Sequence, residues 1–468
     1  LLRTVVPAAP DAWITVLKNY GTMSFGEVAS SAIKYAREGI TVHPTMAKFL
    51  SRYQENYRMW PSNSNIWQKN GHPLEVGDLL IQTDLAATIQ FMADQEAAAM
   101  KGGREKGLQA ARDAFYVGDI ASKIVKYHKE NGGLMTADDM ASYRTPIEKP
   151  LSISFRGTEV YSCRPWCQGP VLLQMLNILN DIDLNAMGHN STDYIHYLAE
   201  TIKLSFADRE RYYGDPNFIE VPIEKLLSSE FAKQRQEQIN PQKAWPEMPP
   251  AGEIEGFGGI SFRSDINSDA SFSEPDTSYT CTMDKQGNVC SITPSDVSFE
   301  SPVIPDLGFC PSARGSQSFA TRGHASEIAP GKRPRLTPNP AMALRRDQFV
   351  MPFGAPGGDT QPQGMLQVIL NHLVFGMDIQ SSIEAPRFST YSQPNSFEPH
   401  ESKPGRLAIE EDIDHEIGEA LSDLGHDVEW LTSRSDAVAG VCAISANLKT
   451  KTITGGADPR RSGRAMGW

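Results

Sequence analysis

The chain has 468 residues, 40% of them apolar and 22% charged. That length supports a large buried core, which suits an enzyme better than a small recognition module. The net charge of −13 argues against nucleic acid and anionic membrane surfaces as partners, since both select a basic face.

The first half reads mainly helical. It opens Leu1-Leu2-Arg3, without a methionine or a signal-peptide core, which leaves cytoplasm and periplasm both open. Over residues 26–39, Val28, Ala32, Ile33 and Ala36 fall on one helical face, and Gly39 suits the stop. Six cysteines are too sparse for a disulfide scaffold. Cys163 and Cys167 lack a second close pair, so no zinc site is expected. Ser191-Thr192-Asp193 signals a helix start, and Ile195, Leu198, Ile202 and Phe206 make its apolar stripe. Gly214-Asp215-Pro216 ends it. Residues 240–276 are rich in Pro, Gly and Ser, which predicts a mobile or surface linker ending at Asp276.

The second half changes character. Residues from Ser278 alternate, Asp284 to Gly287 form a four-residue turn, and Val289 to Thr293 supply a partner strand. Cys281 and Cys290 read as buried free thiols in that hairpin. A strand over Phe349 to Phe353 runs into Gly357-Gly358, after which Met365, Val368, Ile369 and His372 repeat with a helical period. Asp359 and Thr360 stand where helix caps would. Amides at such a strand–helix junction suit a phosphate or a developing oxyanion, although a plain turn has the same composition. The spacing matches neither the dinucleotide fingerprint nor the P-loop. Ten scattered histidines show no close metal spacing, so neither metal nor cofactor is expected, and His324 and His372 read as packing residues. No stretch of about eighteen apolar residues predicts a membrane span.

Thr277 opens the hairpin directly after the linker. A cut before it would place a hydroxyl nucleophile and a free α-amino base on one residue. Several ordered stretches add to this. They are Tyr194-Ile195-His196, Lys203 through Arg209, Gly214-Asp215-Pro216, Thr277 through Asp284, Gly287-Asn288, Lys332-Arg333-Pro334, Pro356-Gly357-Gly358, Ala385 through Phe388, and Ala457 through Arg461. Together they resemble the γ-glutamyltransferase (γ-glutamyltranspeptidase) family of N-terminal-nucleophile hydrolases over nearly the whole chain.

The resemblance implies an α+β fold, a four-layer αββα sandwich. It implies a precursor that cuts itself between Asp276 and Thr277. The products would be a large-subunit region, residues 1–276, and a small-subunit region, residues 277–468, together forming one structural unit. Val6 through Pro10 match an internal family stretch, so the large-subunit region is expected to be incomplete at its start. The resemblance also admits a dimer of processed heterodimers. It gives Thr277 the nucleophile's role, Ser295 that of a supporting hydroxyl, and Gly357 and Gly358 that of oxyanion donors. The substrate would be a small-molecule amide, bounded by Ser318, Leu336, Thr337 and Asp359.

Departures from the family concern that substrate wall. Two adjacent serines of the family read Leu336-Thr337 here, an asparagine aligns with Val297, and an acidic residue with Ser318. These changes remove partners of a zwitterionic glutamyl head, whose unpaired burial is costly. The expectation is therefore an amidohydrolase for an acyl group lacking that head, such as an oxamate-like, lactam-derived or N-acyl compound. The alternatives are a true γ-glutamyltransferase and, in another class, an unprocessed pseudoenzyme with a binding role.

Overall fold

The computed structural model describes residues 1–261 and 277–468. Asp276, the expected residue before the cut, and the end of the Pro/Gly/Ser-rich stretch lie outside the described residues. The chain divides into two compact units. One comprises Leu1–Ile147 with Asp296–Gly315, the other Glu148–Ser295 with Ser316–Trp468. Each takes residues from both sides of Thr277, so a cut there would divide the chain without separating the units.

The first unit is helical. Helices Ala9–Tyr20, Phe25–Glu38, Thr83–Ala99, Arg104–Tyr116 and Asp119–Glu130 bury Ile14, Phe25, Ile33, Met92, Leu108 and Ile124 in one cluster. Ser24 and Glu27 close a reciprocal capping box on helix Phe25–Glu38. Its buried face is Phe25, Ala29 and Ile33, not the face containing Val28 and Ala32, both of which are exposed. The phase is set by Phe25, whose large ring lies at the first helical position and selects the i, i+4, i+8 row. Val297 is buried in a second apolar cluster of this unit, with Phe299 and Leu50.

The second unit is built on strands β1 (Leu151–Phe155), β2 (Thr158–Ser162), β3 (Thr280–Met283), β4 (Val289–Ile292), β5 (Ala341–Arg345) and β6 (Phe349–Gly354). Strands β7 (Phe388–Thr390), β8 (Arg406–Glu410), β9 (Asp427–Leu431), β10 (Cys442–Asn447) and β11 (Thr452–Ala457) complete it. Six of them form a sheet in the order β11-β10-β6-β5-β2-β1, antiparallel throughout. Strands β7, β8 and β9 form a separate sheet, and β3 pairs with β4. Arg156-Gly157, both at positive φ, make the two-residue β1–β2 turn whose twist suits a hairpin.

Helices α1 (Gly169–Leu179), α2 (Thr192–Tyr212) and α3 (Gln361–Leu373) supply Leu172, Leu176, Ile195, Leu198, Met365 and Ile369 to the main core. Ser191 caps α2 through the Tyr194 amide, as its sequence predicts. The expected stripe Ile195, Leu198, Ile202 and Phe206 is buried. So are Asp208, Arg209 and Glu210 on the other faces, which makes α2 a helix enclosed all round. Residues 240–257 depart from the linker reading. Ala244, Met248 and Ile254 are buried, the Gly252 amide donates to Asp208 at 2.7 Å, and Lys203 donates to the Trp245 carbonyl at 2.8 Å. Groups buried on α2 need these backbone partners, which composition cannot reveal. Among the described residues no helix is long and apolar enough to cross a membrane.

Strand β6 is buried from Val350 to Gly354 and packs against both α3 and the β3–β4 hairpin. The hairpin joins through the five residues 284–288, with Met283 opposite Val289, one residue longer than the expected turn. Asp284 accepts from the Gln286 and Asn288 amides and Gly287 takes positive φ, so the turn carries its own polar partners. Cys281 and Cys290 are half-buried free thiols, since a hairpin laid on a sheet encloses one face only. At Gly354 a Cβ would lie 2.3 Å from the Tyr279 ring. Gly354→Ala should therefore displace that ring and destabilise the protein by about 1–3 kcal/mol. Thermal melting of the single and double Gly354→Ala, Tyr279→Ala variants checks this: the losses should be less than additive.

Candidate active site

Thr277 bridges Ser295 in antiparallel fashion, and the Ser278 amide donates to the Pro294 carbonyl at 3.0 Å. This extension of the hairpin brings Thr277 Oγ1 to 2.6 Å from Ser295 Oγ. Both residues are half-buried. Two residues on, Tyr279 Oη lies 2.8 Å from Ser291 Oγ, which donates to the Ala341 carbonyl on β5 at 3.1 Å. The space left by Gly354 and this relay fix the hairpin on the sheet, and with it the position of Thr277.

Strand β6 leads into Gly357 and Gly358, whose φ angles are 133° and 56°. A side chain on Gly357 would meet Thr360 Oγ1 at 2.7 Å and the Ala439 backbone at 3.1 Å, so position 357 admits only glycine. The Gly357 carbonyl accepts from the Thr360 amide and hydroxyl, at 3.0 and 2.8 Å. Among the described residues neither the Gly357 nor the Gly358 amide donates a hydrogen bond. The turn feeds α3, whose start carries the positive end of a helix dipole.

Asp359 and Thr360 do not cap α3 with their side chains. Thr360 turns back to Gly357. Asp359 accepts from Arg209 and from the Ser396 amide at 2.7 Å and hydroxyl at 2.6 Å. A carboxylate beside an enclosed guanidinium is held by that charge instead of by the helix end. Leu336 is half-buried and exchanges backbone hydrogen bonds with Trp166 and Gln168. Thr337 is fully buried, its hydroxyl accepting from Gln317 at 3.3 Å. The Ser318 carbonyl lies 3.3 Å from His400 Nε2.

Beside Asp359 lies a buried charge network that residue types alone do not announce. Glu210 Oε1 accepts from Arg209 Nε and Nη2 at 3.0 and 2.7 Å, and from Arg335 Nη2 at 2.7 Å. Burial alone would raise the Glu210 carboxyl, but Arg335 and Arg209 outweigh it and hold it below the usual carboxylate range. Burial lowers Arg335 to about 10, which leaves it charged at neutral pH. His324 Nε2 is 3.6 Å from Glu210 Oε2, and burial lowers its pKa. The signal in the sequence was the charged run 208–211 on a helix already apolar on its other faces.

His324 and His372 pack as expected. His324 stacks on Phe319, and His372 Nδ1 lies 2.8 Å from the Met377 carbonyl. One histidine cluster departs from the reading of no close metal spacing: ligand atoms of His196, Glu200 and His426 lie within 4.8 Å of one another. Helix α2 puts His196 and Glu200 one turn apart, while His426 comes from a distant loop. Glu200 is already engaged by Lys203 Nζ at 2.8 Å and the Trp245 amide at 3.1 Å. His196 contacts His426 and the Asn240 carbonyl. A resident ammonium suits a structural network better than a metal ion.

The solved structure of cephalosporin acylase from Bacillus halodurans is similar to this fold, with a TM-score of 0.83 and 28% identity. The likeness covers 100% of this chain and 78% of that one. The fold defines an α+β enzyme of the N-terminal-nucleophile hydrolase type, with the αββα sandwich. The Gamma-glutamyltranspeptidase family profile matches residues 2–468. Among curated relatives, the glutathione hydrolase proenzyme of Bacillus subtilis (strain 168) is 31% identical over 467 residues, covering 99% of this chain and 74% of that protein. The acylase ACY 1 proenzyme of Pseudomonas sp. (strain SE83) is 30% identical over 470 residues, covering 98% and 74%. The chain belongs to the γ-glutamyltranspeptidase family.

Proposed function

We propose that the protein is a self-processing amidohydrolase with Thr277 as nucleophile. The observation that carries this reading is the 2.6 Å contact between the Thr277 and Ser295 hydroxyls, at the start of a hairpin fixed on the sheet. In processing, Thr277 Oγ attacks the Asp276 carbonyl carbon. The peptide C–N bond breaks, an ester forms, and water releases a carboxylate at 276 and a free amine at 277. The large and small subunits would then be residues 1–276 and 277–468. In turnover, the same oxygen attacks a substrate amide. The α-amino group, of ordinary pKa about 7.7–8.0, passes the proton to the leaving amine. Water then hydrolyses the acyl-enzyme. Ser295 orients Thr277, and the Gly357 and Gly358 amides receive the oxyanion.

The acyl group is one without a glutamyl head. Leu336 offers no polar side chain, and the Thr337 hydroxyl is fully buried and turned to Gln317, from which it accepts. Ser318 lines the same wall, while Asp359 supports it through Arg209 and Ser396. The acylase relatives support this assignment. Turnover of γ-glutamyl, glutaryl and butyryl p-nitroanilides tests it, because the three differ only in the α-amino and α-carboxyl groups. One of the latter two should exceed the γ-glutamyl compound by about 5- to 150-fold in kcat/KM, since an uncompensated polar group costs about 1–3 kcal/mol. Preference for γ-glutamyl p-nitroanilide would sink the assignment and restore a γ-glutamyltransferase.

A further inference from the structure

We propose that Gln168 is a positioning residue for the Gly358 amide. The proposal rests on the reading of Gly357 and Gly358 as oxyanion donors. Gln168 is 1% exposed and directly precedes α1. Its Nε2 donates to two separate segments, to the Thr337 carbonyl and to the Gly358 carbonyl, each at 2.8 Å. Its Oε1 accepts from Arg209 Nη1 at 3.2 Å, and its own amide donates to the Leu336 carbonyl at 3.1 Å. One carboxamide thus ties the Leu336–Thr337 wall to the glycine turn.

The geometry of planar peptides gives this tie its consequence. Gly358 lies between two peptide planes. The plane before it carries the Gly357 carbonyl and the Gly358 N–H, pointing oppositely. Thr360 holds that carbonyl. The plane after it carries the Gly358 carbonyl, which the Gln168 carboxamide and the Gln361 amide hold together. A glycine at φ 56° has no side chain to restrict it, so fixing both flanking planes fixes its torsions. Without Gln168 the second plane keeps only the Gln361 amide and is untied from the Leu336–Thr337 segment, so the torsions at Gly358, and with them the aim of its N–H, are less tightly set.

Chemistry explains why a glutamine stands here. Two carbonyls require two N–H donors from one side chain, and Arg209 requires an acceptor. A glutamate would turn oxygen toward both carbonyls. Asparagine keeps the amide on a stem shorter by one methylene. The backbone cannot move to compensate, because a Cβ on Gly169 would meet Ser162 Oγ at 2.6 Å and the Cys163 carbonyl at 2.7 Å.

The test uses the full chain, Gln168→Met and Gln168→Asn, with whichever of the three p-nitroanilides the wild type turns over fastest. Melting curves select an assay temperature at which each variant is folded. We expect two-band processing to persist, kcat to fall about 10- to 100-fold, and KM to stay within about threefold, because misaiming one donor costs less than deleting it. Gln168→Asn should retain more kcat than Gln168→Met. Wild-type kcat in either folded variant overturns the proposal, as does an effect confined to KM. Failure of both variants to fold assigns Gln168 to the fold and overturns it too. Turnover by Thr277→Ala would instead defeat the underlying reading, so the two failures are distinguishable.

Discussion

Thr277→Ala should leave one uncut chain of 51.5 kDa and reduce amide turnover by about 10⁴- to 10⁶-fold, the range seen when a covalent nucleophile is deleted. The loss is expected to be this large because both proposed reactions use the same oxygen. Without it no ester forms at residue 276, the α-amino base is never released, and no acyl-enzyme follows. Alanine removes Oγ1 and a methyl from a half-buried residue and leaves the backbone bridge to Ser295 intact, so folding should change little. Thr277→Ser keeps a hydroxyl and should still process. Ser295→Ala keeps the nucleophile and should slow both reactions by only about tenfold, the loss of one hydrogen bond. Denaturing gels over time, with p-nitroanilide release from the same samples, read both steps. Two bands from Thr277→Ala would place the cut elsewhere. A single band from wild type with no turnover would favour an unprocessed binding protein.

The parts of the site that follow from local rules were legible in the sequence. A serine before a run of helix formers starts α2 at Ser191, alternation after Thr277 makes the hairpin, and paired glycines end β6. Each depends on a few neighbouring residues. What escaped was set by distant partners. Val28 and Phe25 offer competing helical faces, and the larger Phe25 ring, once packed against its distant neighbours, decides between them. The proline- and glycine-rich residues 240–257 read as linker, yet they supply carbonyls and amides to buried Lys203, Asp208 and Arg235. Gln168 looks like any helix-start residue until residues 337 and 358 fold against it. The family motif Lys203 through Arg209 pointed at this region without revealing that its charges are enclosed. Local chemistry therefore located the proposed reacting groups, whereas Gln168, Arg209 and Glu210 depend on contacts up to 190 residues apart in sequence.

Those holding groups set the second large effect. Glu210→Gln should destabilise the protein by about 3–5 kcal/mol, because it leaves two enclosed guanidiniums short of one carboxylate. Glu210, Arg209 and Arg335 are 0%, 0% and 1% exposed at their side chains, so water cannot take the missing partner's place. Glutamine keeps the volume and one acceptor, which isolates the charge from packing. The pH dependence has a definite sign. The folded carboxyl of Glu210 lies below its unfolded value, about 4.3. Its contribution is therefore full above about pH 4.3 and is lost as pH falls toward the folded value. Asp208 acts oppositely: burial raises its folded pKa against the pull of Arg235, so its share diminishes as pH rises. For that reason the informative quantity is the difference between wild type and Glu210→Gln, in which Asp208 cancels. Urea midpoints at neutral pH and at about pH 3.5 measure it, and the difference should narrow in acid. A gap that stays constant would mean that hydrogen bonding and shape, not charge, account for the loss. The same network reaches the proposed chemistry, since Arg209 also holds Asp359 and Gln168 Oε1. Glu210→Gln should accordingly lower kcat even at temperatures where the variant is fully folded.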